Sequence, residues 1–68
     1  MNIELIGNNA GLIWNALNEN KTLSVKEIKK ATKIKTDKVL YAALGWLARE
    51  GKLAFNEAEE EVVVSLCD

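Results

Sequence analysis

The chain is 68 residues long, 49% apolar and 28% charged, with a net charge of -1; this excludes the disordered class and predicts one folded domain over residues 1–68. Such a short chain buries only about 60% of the surface it exposes unfolded, so its stability margin is thin. One cysteine, Cys67, and no histidine exclude an intramolecular disulfide and leave no zinc constellation, while the absence of a basic, cleavable leader or of an apolar run near 18 residues predicts a cytoplasmic protein without membrane association.

In "NNAGLIWNALNEN" the residues Ala10, Ile13, Trp14 and Leu17 recur at i, i+3, i+4 and i+7, the period of a helix with one buried face. Asn8 or Asn9 is expected to cap its start, with Gly7 and Gly11 as turn and helix-start geometry. Thr22 and Leu23 fit a short strand. In "LSVKEI", Ser24 and Glu27 have the spacing of a capping box, and Leu23 and Ile28 that of a hydrophobic staple, so a second helix should begin at Val25 and bury Val25, Ile28 and Ala31. Ile34, in the connection "TKIKT", should plug the core between two helices.

Thr36 caps a third helix, with Asp37 in its first turn. Leu40, Ala43, Leu44 and Leu47 form its inward stripe, and Gly51 supplies the left-handed residue that ends it. "KLAF" and "EVVVSL" then read as strands of an antiparallel hairpin around a six-residue loop, "NEAEEE". Helix, short strand, helix, turn, helix and hairpin is the order of an α+β winged helix-turn-helix, three helices with a two- or three-stranded antiparallel sheet.

The stretches "IGNNAGLIWNAL" and "ALGWLAREGKL" add a resemblance to a family of small stand-alone winged helix-turn-helix proteins of uncharacterised function. It spans about residues 3 to 66, and Trp14 together with "LGWLARE" carries it. The resemblance implies the fold and brings no catalytic or base-reading residues with it.

Function rests on charge and on the third helix. Residues 21 to 38 hold seven lysines against Glu27 and Asp37, a local charge of +5, whereas residues 39 to 68 come to -4. Lys26, Lys30 and Lys33 lie at i, i+4 and i+7 on the outward face of the second helix, and Lys35 and Lys38 continue the patch through the turn, where helix-turn-helix proteins meet the phosphate backbone. These five lysines, with Tyr41 beside the groove, are the candidate DNA contacts of a transcription-regulatory module. A solvated lysine face is the plainer alternative.

Two features point elsewhere. The third helix presents Lys38, Ala42, Gly45 and Arg49 outward with Tyr41 and Trp46 on its shoulders, which is poor in groups that pair with base edges. Either Gly45 and Ala42 make room for part of the same domain, such as Trp14, or Tyr41, Ala42, Gly45, Trp46 and Arg49 form a surface for a protein partner or a second copy. The wing tip, with Glu57, Glu59, Glu60 and Glu61, would repel phosphates. Without histidine, a phosphate-cradling glycine loop or a serine-based triad, an enzyme would lack its usual parts, and no cofactor or small-molecule substrate is expected.

Overall fold

Local signals place the helices. A computed structural model, describing residues 1–58 and 61–67, shows α1 (Ile3–Asn20), β1 (Thr22–Ser24), α2 (Val25–Thr32), α3 (Asp37–Arg49), β2 (Leu53–Ala58) and β3 (Glu61–Leu66). The expected α+β winged helix-turn-helix is the observed architecture.

α1 begins earlier than the sequence suggests. Asn2, not Asn8 or Asn9, is the N-cap: its Oδ1 accepts from the Leu5 N–H at 2.8 Å, and Glu4 sits in the first turn. Gly7 and Gly11 therefore lie inside the helix instead of before it, at a propensity cost of about 1 kcal/mol each relative to alanine. Packing of the Ala10, Ile13 and Leu17 stripe offsets that cost. Trp14, at the edge of the stripe, stays 38% exposed.

α2 starts at Val25, as expected. The Ser24 N–H donates to Glu27 Oε1 at 2.8 Å and the Glu27 N–H donates to Ser24 Oγ at 3.1 Å, the reciprocal capping box. Leu23 packs against the core that holds the fully buried Ile28. Ala31 is exposed, contrary to expectation. The inward face runs through Val25, Ile28, Lys29 and Thr32 at i, i+3, i+4 and i+7, none of them exposed, and Ala31 falls about 100° from its centre. Because Ser24 is itself buried and satisfied only through this box, Ser24→Ala should cost about 1–2 kcal/mol in urea denaturation followed by circular dichroism. A loss within about 0.3 kcal/mol would show that α2 does not depend on its cap.

α3 is capped by Thr36, whose Oγ1 accepts from the Val39 N–H at 3.4 Å, and its Leu40, Ala43, Leu44 and Leu47 are all buried. Gly51, at φ 73°, closes it: the Gly51 N–H donates to the Ala48 carbonyl and the Lys52 N–H to the Leu47 carbonyl, each at 3.0 Å, a Schellman ending. Ile34, buried in the turn, plugs the core where α2 meets α3.

The sheet has the order β1-β3-β2, both pairings antiparallel. β1 pairs Thr22 with Ser65 and Leu23 with Val64, so the short third strand forms. β2 is longer than "KLAF": Leu53 faces Leu66 and the ladder continues until Ala58 opposes Glu61. The six-residue loop is thus replaced by paired strands joined through Glu59 and Glu60, which lie outside the described residues. Asn56 and Glu57 are strand residues because the backbone groups opposite them on β3 need partners. Val64, between Leu23 and Phe55, is the fully buried centre of the sheet beneath the helices. No helix is long and apolar enough to cross a membrane among the described residues.

Candidate nucleic-acid interface

The lysine face is built by local backbone. The capping box fixes the first turn of α2 and so places Lys26, with Lys30 one turn on. Lys33 is not in the helix but caps its C-terminus at φ 60°, ψ 24°, the left-handed region usually given to glycine. Lys35 lies in the turn before the Thr36 cap, and Lys38 in the first turn of α3. All five side chains are exposed.

The negative charges of this region are engaged elsewhere. Glu27 Oε1 accepts from the Ser24 backbone, and Asp37 Oδ1 pairs with Lys29 Nζ at 2.7 Å, tying α2 to the start of α3. Both carboxylates of residues 21 to 38 thereby serve local structure. Lys26, Lys30, Lys33, Lys35 and Lys38 have no ion-pair partner among the described residues. The result is a positive face across the helix-turn-helix, suited to phosphate oxygens and without base-reading content of its own.

Tyr41, 59% exposed, opens beside this face. It lines a groove of about 190 Å³ with Ser24, Val25, Lys26, Glu61 and Val62, between α2, α3 and the start of β3. The sequence offered no sign that Glu61 would share a groove with Tyr41, because the two meet only through sheet packing. At the wing, Glu57 and Glu61 are exposed strand residues.

The residues of the alternative surface divide. Gly45 is exposed, and a Cβ built there would meet nothing within 4 Å, so Gly45 does not make room for Trp14 or any other part of the domain. Ala42 is half-buried and Arg49 is exposed at the α3 C-terminus. Tyr41 and Trp46 line different clefts. Trp46, 37% exposed, instead faces α1 across a cleft of about 300 Å³ shared with Gly7, Gly11, Trp14, Glu50 and Lys52. The recurrence of Gly7, Ala10, Gly11 and Trp14 on one helical face was the available sequence signal, obscured by reading the glycines as helix-start residues.

A family model described as "Winged helix-turn-helix domain (DUF2582)" matches residues 1–66. The solution NMR structure of protein BT2368 from Bacteroides thetaiotaomicron is similar, with 30% sequence identity and a TM-score of 0.84, covering 97% of this chain and 79% of that one. No curated protein matches the chain.

Proposed function

The chain belongs to the family of winged helix-turn-helix domains described as DUF2582, and on that premise we propose that it is a nucleic-acid-binding, transcription-regulatory module. It holds the phosphate backbone through Lys26, Lys30, Lys33, Lys35 and Lys38, with Tyr41 at the groove. The observation that carries this reading is the pairing of Asp37 with Lys29, with Glu27 turned into its cap, so that five exposed lysines stand without an ion-pair partner among the described residues. Fold analogy alone would not support it.

Binding of this kind is driven by counterion release. A labelled mixed-sequence duplex should associate with a dissociation constant between roughly 1 and 100 µM, and three to five phosphate contacts should give a log–log salt slope of about -3 to -4.5. Fluorescence anisotropy across a salt series measures both. Absence of binding at low salt would remove nucleic acid as the partner.

The wing supplies a test of opposite sign. Glu61 shares the Tyr41 groove with Lys26, so its carboxylate opposes phosphate at that edge. Glu61→Lys should tighten binding roughly five- to tenfold, since it changes the local charge by two units, each worth up to about 1 kcal/mol at about 4 Å from a phosphate in water and less under salt screening. Unchanged affinity would place the duplex away from Tyr41, on the turn lysines alone.

A further inference from the structure

A second surface lies away from the lysines. On α1, Ile3, Gly7, Ala10 and Trp14 recur at i, i+4, i+7 and i+11, and Ile3 is 70% exposed. Gly7 and Gly11 have no conformational need to be glycine: among the glycines only Gly51 has a positive φ, and a Cβ at Gly7 or Gly11 would meet nothing within 4 Å. Their own fold would therefore accept alanine, a better helix former. What the pair provides is a helix backbone open to close approach from outside. Trp14 and Trp46, the chain's two tryptophans, wall the cleft beside them.

Charge identifies the occupant. Glu50 and Lys52 both line this cleft, and neither has an ion-pair partner among the described residues. A two-fold axis makes a patch meet itself, so the patch must be self-complementary. One acid and one base at the same rim satisfy that, because Glu50 of each copy can meet Lys52 of the other. The lysine face would repel its own copy, and so would the Glu57 and Glu61 end of the sheet. A strongly basic or acidic partner would call for a rim of one sign.

We propose that the α1–α3 face around Trp14 and Trp46 is a homodimer interface, in which a second copy of this chain packs over Gly7 and Gly11 and exchanges Glu50–Lys52 pairs. Aromatic side chains, tryptophan above all, are where interface binding energy concentrates. None of Lys26, Lys30, Lys33, Lys35 and Lys38 lines the cleft, so dimer formation leaves the lysine face open and stands apart from the nucleic-acid reading.

The test is sedimentation of the 68-residue protein from roughly 1 µM to 1 mM, the range in which a modest interface associates. The expected result is twice the 7.5 kDa chain mass at high concentration. Tryptophan emission should move to the red on dilution, as both reporters leave the interface. Gly11→Leu, whose Cβ would meet nothing within 4 Å in the lone chain, should abolish the dimer while helical circular dichroism is kept. Glu50→Lys should weaken it roughly tenfold, and the double change Glu50→Lys with Lys52→Glu should recover it. A protein that stays monomeric throughout overturns the proposal and leaves the cleft to a different chain. A dimer that survives Gly11→Leu, or a charge exchange that recovers nothing, overturns this surface.

Discussion

Ile28→Ala should remove about half of the stability of the domain, among the largest effects expected from a single side chain here. Ile28 is fully buried, stands one turn inside the α2 cap and meets the core shared by α1, α3 and β3. Truncating a buried isoleucine costs about 2–5 kcal/mol, because the lost transfer energy is joined by a cavity that a packed core closes only in part. A domain of this length has roughly 3–10 kcal/mol in total. Ala31→Ser, three residues away on the exposed side, should change stability by less than about 0.5 kcal/mol. Urea denaturation of both variants separates the faces of α2. A loss below about 1 kcal/mol for Ile28→Ala would mean that the core relaxes around the missing atoms.

The second large effect is on binding. Changing Lys33 and Lys35 together to glutamate reverses two charges in the turn, and affinity for a mixed-sequence duplex at low salt should fall by about 100-fold, with the salt slope reduced by about two. Neither side chain is buried or ion-paired among the described residues, so the fold should be kept. Lys33→Gly separates charge from conformation. Lys33 adopts a left-handed backbone at φ 60°, which costs a non-glycine residue about 1 kcal/mol. The glycine variant should therefore melt about 4–8 °C higher while binding DNA more weakly. Stability and affinity moving in opposite directions is hard to produce by partial unfolding. Full binding by the double glutamate variant would remove the turn from the interface.

The legible parts of the fold are those settled within a few residues. Ser24 and Glu27 close their box over three positions, Thr36 reaches Val39, and Gly51 ends α3 through carbonyls of its own last turn. Such contacts need no knowledge of the rest of the chain. The α1 start is not legible from sequence because Asn2, Asn8 and Asn9 are equally able caps by type, and two glycines imitate a boundary. Packing of α1 on α3 decides among them, and it depends on residues more than twenty positions away. For Ala31 two helical spacings compete, and the exposure of Ala31 beside half-buried Lys29 and Thr32 is settled only in the folded state.

The candidate sites divide along the same line. The positive charge of residues 21 to 38 is a property of composition and helical period, so the sequence by itself determined the lysine face along with the existence of the three helices, the caps of α2 and α3 and the order of the strands along the chain. Only the tertiary structure decided that Asp37 pairs with Lys29, that Glu61 approaches Tyr41, and that Trp14 and Trp46 share one cleft over open glycines. Each of these brings together groups from different elements. Their proximity follows from how helices and sheet close on the buried core, and apolar burial is non-directional: a hydrophobic pattern states which side chains go inside without stating which will be neighbours.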